Sequence, residues 1–537
     1  MVGTTGIIQK SIPTKQQWLK ISFSLVFSLG IVMINAGCAE VLLLNSLTSK
    51  KSSGEETIVG VYDLDIVTKE NYLSGEAFCK EYVLVTSSEY GKTVQAPAYY
   101  DGSSAVTQIY AWTNLPFDPS KPSVLLFDGG PGQNLHGYPN PDAAANTNFI
   151  HLDQRGMGCS APETFEIYKN PKFYASQFII QDADEVRKAY GIDKWSVYGV
   201  SYGTVLATMY ANRYPNATRS ALLEGVYYSG SDAHAAEWKV KKLNLMLDKL
   251  TKGQRSSFVQ AITSENKSNT YLLFKYEMSN LWYAEDSFQN FQSLIQNIIS
   301  ENGNINEDKV EAKINELTSG GVVDFKKPQK PKAIDRQFNL SIMCQDLSDW
   351  AANNKDLGLL IDEEKFTVTE LKRPISVTCQ EENIPVNENN FYVAKNYPVN
   401  VPIYYFQGTH DGATLATGAL RHWQTVPQST VTMMLNQRGG HNPFLTDLYL
   451  EMNMKERGGD SSLKQEYISS NIERLSGNAK VLFENAVNAK PMLQSQVDAL
   501  NMDEPKNEKW LLYGKAPKNM ASIESELNGV KIRDFTK

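Results

Sequence analysis

Trp195-Ser196-Val197-Tyr198-Gly199-Val200-Ser201-Tyr202-Gly203-Thr204 is the stretch on which the fold turns. Its first six residues are an apolar run, the pattern of a strand covered on both faces, as in a parallel sheet. From Thr204 to Tyr214 the chain reads as a helix that stops at Pro215. Between strand and helix, Gly199 and Gly203 flank Ser201. A turn that tight leaves no room for a Cβ on either side. It lifts the Ser201 hydroxyl out of the sheet above a helix N-terminus, which favours negative charge. A serine held in that way is a candidate nucleophile.

Similar apolar runs lie on either side in the chain. Pro122 to Phe127 ends at Asp128-Gly129-Gly130-Pro131-Gly132, and further runs are Asn148 to Leu152, Ala221 to Leu223 and Pro402 to Phe406. Helical segments separate them, so the expected fold class is α/β, with a mostly parallel sheet flanked by helices. Three β-rich pieces between Thr57 and Thr113 (TIVGVYDLDIV, EYVLVTS and TQIYAWT) predict strands at a sheet edge. Trp238, Leu243, Leu247 and Leu250, then Ile305, Val310, Ile314 and Leu317, recur at helical spacing. They predict a helical cap over 227–340, inserted between core halves at 57–226 and 341–450. Leu463, Tyr467, Ile472 and Leu475 extend the same spacing into a helical C-terminal extension over 451–537.

Composition narrows the function. Of 537 residues, 42% are hydrophobic and 21% charged, which excludes a disordered, collagenous or coiled-coil chain. Lys and Arg number 52 against 60 Asp and Glu, for a net charge of −8. Phosphate-backbone binding asks for the opposite balance, so no nucleic-acid partner is expected. With 5 Cys and 6 His there is little material for metal centres, and neither a metal nor an organic cofactor is expected.

The N-terminus reads as an export signal over 1–38. Lys10, Lys15 and Lys20 precede an apolar run from Ile21 to Ile34, and Asn35-Ala36-Gly37-Cys38 follows. The run is short for a membrane span. Ala-Gly-Cys resembles a bacterial lipobox, making Cys38 the lipid attachment site and the cell envelope the expected location. Plain cleavage with secretion, or an uncleaved anchor, are the alternatives. Residues 39–56 form a linker. Cys79, Cys159, Cys344 and Cys379 then remain, an even number that permits two disulfides in an exported chain.

A serine hydroxyl needs a base. Behind a nucleophile turn of this kind the order is Ser, acid, His. His136, His151 and His234 precede the acid position and His410 adjoins it, leaving His422 and His441. His422 lies within a helical segment and reads as structural or solvent-facing. His441 follows a strand and Gly439-Gly440, on a loop able to reach a site. Asp411, after the strand that ends in Phe406, is the acid that would hold the imidazole tautomer. The glycines at 129–132 let backbone N–H groups approach a substrate carbonyl, so Gly130 and Tyr202 are the candidate oxyanion donors. A phosphate cradle is the alternative for such a loop, but the Lys-Ser/Thr of a Walker motif is missing.

Gly-Gly-Pro-Gly (129–132), Leu-Asp-Gln-Arg-Gly-Met-Gly-Cys-Ser (152–160), Gly-Val-Ser-Tyr-Gly-Thr (199–204), Gly-Thr-His-Asp (408–411) and Gly-Gly-His (439–441) together resemble the α/β-hydrolase peptidases related to proline iminopeptidase and tripeptidyl aminopeptidase. They run in family order over roughly 120–445. The resemblance implies the α/β-hydrolase fold with a helical cap. It also implies Ser201, Asp411 and His441 as catalytic triad, and peptide substrates cleaved near a free N-terminus. Cys344 and Cys379 resemble the secreted branch, in which such cysteines pair. Asp153 and Arg155 are read as pairing with each other or bracing the loop near the site. The chain departs from the family pattern at Asp128, where His is common, at Glu224 in place of Asp, and in lacking the Pro that usually follows the acid.

An α-ammonium needs carboxylates. Glu277, Glu285 and Asp286, set among Tyr271, Phe274, Tyr276, Trp282 and Tyr283, are the candidate substrate-binding residues, with a solvated face over core aromatics as the alternative. A carboxylesterase or lipase with the same triad, and a non-catalytic surface binding protein on a hydrolase scaffold, are the competing functions.

Overall fold

The structure, a computed structural model, describes residues 67–82, 90–113, 115–133, 147–229, 246–263, 268–281, 287–319, 335–347, 360–361, 366–367, 379–380, 382–386, 391–408, 411–426, 431–436, 440–441, 485–489 and 510–513. Helix α1 (Gly75–Tyr82) precedes strands β1 (Gly91–Pro97), β2 (Val106–Trp112), β3 (Ser123–Phe127) and β4 (Asn148–Leu152). Helices α2 (Phe165–Tyr168) and α3 (Ser176–Ala189) lead to β5 (Trp195–Val200), α4 (Tyr202–Arg213) and β6 (Thr218–Glu224). Four helices follow, α5 (Lys252–Thr263), α6 (Asn269–Asn280), α7 (Ser287–Ile298) and α8 (Glu307–Ser319), and then α9 (Arg336–Gln345). A two-residue pair, β7 (Leu360–Ile361) and β8 (Phe366–Thr367), stands apart from the main sheet. The chain then forms β9 (Ile403–Gly408), α10 (Ala416–Gln424), β10 (Val431–Asn436) and β11 (Trp510–Tyr513).

Nine strands make one sheet in the order β1-β2-β4-β3-β5-β6-β9-β10-β11. Neighbours from β4 to β10 are parallel. The two edges, β1-β2 with its join to β4 and the β10-β11 pair, are antiparallel. The central strands are those whose apolar runs do not alternate. Every residue of β3, β4, β5 and β9 is buried, as strands covered on both faces require. The α/β architecture expected from those runs is the one observed. Helix α4 is buried along ten of its twelve residues. Val205, Leu206 and Tyr210 pack there with Leu125, Phe127, Val197 and Leu223 of the sheet and Ile179 and Val186 of α3.

Helices α5 to α8 bury a second cluster of their own. Phe258, Phe274 and Phe291 meet edge to face, with ring centres 5.3–6.0 Å apart, among Leu247, Leu273, Ile295 and Val310. Ala413, from the loop after β9, belongs to this cluster and joins the helical layer to the sheet's C-terminal edge. Among the described residues no helix is long and apolar enough to cross a membrane.

Three expectations change. Glu81-Tyr82 of EYVLVTS ends a helix rather than starting a strand. Tertiary packing overrides the local pattern there: Cys79 is bonded to Cys159, and Phe78 and Cys79 lie against Tyr110 and Trp112. Second, α9 crosses the boundary expected at 340/341, and Phe338, Leu340, Ile342 and Cys344 pack into the sheet core rather than the helical layer. Third, the tail expected to be helical contributes β11, paired from Met433–Tyr513 to Asn436–Trp510. Residues 57–66 and 83–89, Trp238, Leu243, and Leu463 to Leu475 lie outside the described residues.

Candidate active site

Ser201 sits where β5 turns into α4, buried, at φ 56° and ψ −123°. A non-glycine residue held in this left-handed region costs about 1–3 kcal/mol and persists only where its surroundings impose it. Here they do. The Ser201 N–H donates to the Glu224 carbonyl on β6 at 2.9 Å. Its own carbonyl accepts from the N–H of Thr204 at 2.9 Å and from the Thr204 hydroxyl at 2.6 Å. A Cβ on Gly199 would lie 2.2 Å from the Gly203 carbonyl oxygen, and one on Gly203 only 1.9 Å from that of Phe127. Both flanking glycines are therefore steric requirements of the turn.

Asp411 and His441 meet on the same side. His441 Nδ1 is 2.9 Å from Asp411 Oδ2, and both side chains are buried. The His441 ring lies over the backbone just beyond Glu224, since a Cβ on Gly225 would come within 2.8 Å of its Cε1. Asp411 is densely hydrogen-bonded. Oδ1 accepts from the N–H groups of Ala413 (2.8 Å) and Thr414 (2.9 Å). Oδ2 accepts from the Thr414 hydroxyl (2.8 Å) and the Gln407 amide (2.9 Å). Thr414 Oγ1 also lies 3.3 Å from His441 Nδ1. Gln407, fully buried on β9, accepts from the Val226 N–H at 2.9 Å through its other amide atom, tying the acid to the loop after β6.

The sequence reading missed Gln407 and Thr414. A polar side chain at the end of the Ile403–Phe406 run was the available signal for the first, and a hydroxyl three residues past the acid for the second. The Pro usual after the acid is replaced by a turn whose free N–H groups solvate Asp411.

The glycine loop after β3 approaches the serine directly, for a Cβ on Gly129 would lie 3.1 Å from Ser201 Cβ. Gly130 has φ 105° and sits next along this loop, while Tyr202 opens α4. Asp128 is buried at the start of the loop, where burial and the neighbouring Asp153 push its carboxyl well above the usual range.

The remaining candidates resolve differently. Arg155 pairs with Asp182 rather than Asp153, through Nε–Oδ2 at 2.8 Å and Nη2–Oδ1 at 2.6 Å, and donates to the carbonyls of Pro97 and Ala98. Asp153 instead accepts from the Cys159 N–H at 2.8 Å. The two side chains thus make separate contacts. His422 is buried rather than solvent-facing, 2.5 Å from the Tyr405 hydroxyl, and burial holds its imidazole down at about 3. Glu277 lies on α6 with Lys313 and Glu316 of α8 as its charged neighbours, and burial raises its carboxyl. Tyr271, Phe274 and Tyr276 are core of the helical layer. Glu285, Asp286 and Cys38 lie outside the described residues. Two disulfides form, Cys79–Cys159 and Cys344–Cys379. Among the described residues no group of three or more His, Cys, Asp or Glu is arranged to hold a metal ion.

A family model described as alpha/beta hydrolase fold matches residues 122–448, more than half of the chain. A probable proline iminopeptidase of Streptomyces coelicolor is 33% identical over 129 residues, which are 23% of this chain and 38% of that protein. The proline iminopeptidase of Neisseria gonorrhoeae is 31% identical over 128 residues, with the same shares. The chain thus spans 38% of the length of these relatives. Among solved structures, a proline iminopeptidase of Mycobacterium smegmatis is matched at 15% identity and a TM-score of 0.35, over 71% of this chain and 99% of that one.

Proposed function

The chain belongs to the alpha/beta hydrolase fold family, and from that premise we propose that it is an exported serine aminopeptidase. It releases N-terminal residues or short peptides through Ser201, His441 and Asp411. The observation that carries the reading is the buried Asp411–His441 contact at 2.9 Å, with the His441 ring over the backbone next to the residue that anchors Ser201. The relatives named as proline iminopeptidases support peptides over other acyl substrates.

The chemistry follows from the roles. His441 Nε2 takes the Ser201 hydroxyl proton as Oγ bonds to the scissile carbonyl carbon. The carbonyl oxygen becomes an oxyanion, held by the N–H groups of Gly130 and Tyr202. Collapse breaks the C–N bond, and His441 returns the proton to the leaving amine. Water, deprotonated by His441, then attacks the acyl-enzyme, and the acid product leaves with Ser201 restored. Asp411 holds the imidazole tautomer.

Export and a lipid on Cys38 belong to the same reading, supported by two disulfides, which persist in oxidising compartments. Palmitate labelling that is lost in Cys38→Ala tests the anchor. A fluorophosphonate probe tests the nucleophile: wild type labels and Ser201→Ala does not. Aminoacyl- and peptidyl-nitroanilides should be cleaved and their N-acetylated forms spared. Equal rates on blocked substrates, or turnover of short nitrophenyl esters alone, would overturn the peptidase assignment in favour of an esterase.

A further inference from the structure

The loop that carries Gly130 has almost no side chains with which to hold itself. Gly129, Gly130 and Gly132 have none, Pro131 lacks an N–H, and Gly130 and Gly132 take φ values of 105° and 86°. Its shape is imposed from outside, and on its downstream side the element that imposes it is α9. Asn339 Nδ2 donates to the Pro131 carbonyl at 2.8 Å, in a fully buried contact. The Asp335 N–H donates to the next carbonyl, that of Gly132, at 2.9 Å. Gly132 is pressed onto the first turn of the helix, since a Cβ there would lie 3.0 Å from Phe338 and 3.1 Å from the Asp335 carbonyl oxygen.

The other end of α9 reaches the Tyr202 side chain through Ser176. Asp346, its C-cap, accepts from the Ser176 N–H (2.7 Å) and hydroxyl (2.6 Å), and the Ser176 hydroxyl is 2.8 Å from that of Tyr202. Ten helical residues span about 15 Å. One helix therefore contacts the glycine loop at its first turn and, through Ser176, the Tyr202 side chain at its end, and the Cys344–Cys379 bond and the Arg336–Glu382 pair fasten the helix itself.

We infer that Asn339 is a positioning residue for the oxyanion-binding loop, acting through the Pro131 carbonyl. The inference rests on the proposed serine chemistry. Its amide fixes the turn that aims the Gly130 N–H. Without it the buried Pro131 carbonyl loses its donor and the loop its register, and a displacement of about 1 Å at such a site is worth roughly a hundredfold in rate. A substrate bound through its N-terminal portion would not sense the change, whereas the developing oxyanion would.

The test uses the full chain, as wild type, Asn339→Ala and Asn339→Asp. The Asp variant keeps shape and volume while replacing the donor with an acceptor, and carries the test if the Ala variant does not fold. The readouts are the second-order rate of fluorophosphonate labelling, and kcat and KM on the best nitroanilide, all per folded molecule. Expected are losses of about tenfold to a hundredfold in labelling rate and kcat, with KM within about twofold of wild type. A folded variant whose labelling rate and kcat stay within about twofold of wild type overturns the inference and leaves the serine-hydrolase assignment standing. Failure of wild type to label removes that assignment first, and the positioning role with it.

Discussion

Thr414 is where the acid's environment is most exposed to a single substitution. Its N–H and hydroxyl serve the two oxygens of Asp411, and the hydroxyl also lies 3.3 Å from His441 Nδ1. Thr414→Val keeps the shape and removes one hydrogen bond to a charged group, worth about 1.5–3 kcal/mol. We expect kcat to fall about tenfold to a hundredfold with KM little changed, measured by steady-state kinetics on the best nitroanilide. An unchanged kcat would mean that Gln407 and the backbone alone hold the acid. His422 makes a different prediction, about pH. Its folded value of about 3 lies below the ordinary 6.5, so between those values the unfolded chain takes up a proton that the folded one refuses. Stability is therefore intact above about pH 6.5 and falls as the pH drops, by up to about 1.4 kcal/mol per pH unit from this group. Urea midpoints for His422→Gln should show a shallower acid slope than wild type. A slope equal to that of wild type would place the acid sensitivity elsewhere.

Individual elements show what a sequence can and cannot convey. β3, β5 and β9 were legible because burial on both faces removes alternation and leaves an apolar run. Ser201 and its flanking glycines were legible because the turn excludes a Cβ, a local constraint written into three residues. Helix α1 was not, because what holds it lies 80 residues away at Cys159. Nor was the partner of Arg155. Asp182 sits on α3, 27 residues on, whereas Asp153 is two residues away and offered the simpler pairing. The observed pair joins α3 to the end of β1 and the loop after β4, with both side chains fully buried. Arg155→Ala would leave the Asp182 carboxyl buried without its cation, at a cost of about 3–5 kcal/mol. Urea unfolding measures it, and a loss below about 1 kcal/mol would show that water or Tyr100, 2.9 Å from Asp182, compensates.

At the scale of the whole molecule, the last part of the chain is the portion least legible from its sequence. Helical spacing described the tail in isolation, but its described parts are defined by what they complete. β11 pairs along β10 and closes an edge that would otherwise present unpaired backbone groups. The Ala486 and Val487 carbonyls accept from the hydroxyls of Ser220 and Ser196, at 2.5 and 2.6 Å, on two central strands. Those hydroxyls are fully buried and lie 2.7 Å apart, and each has a single proton, so while both donate to the tail carbonyls neither donates to the other. Removing the tail therefore uncovers the face of β5 and β6 and leaves at least one hydroxyl without an acceptor. It frees the β10 edge as well. The segment lies far from Ser201 in sequence, but β5 is the strand that ends in the Ser201 turn and β6 supplies the carbonyl that anchors it. A chain ending at Leu450 should accordingly be insoluble, or soluble but unlabelled by a fluorophosphonate probe. A truncated chain that elutes as a monomer and labels at the wild-type rate would show that the sheet closes without its last strand.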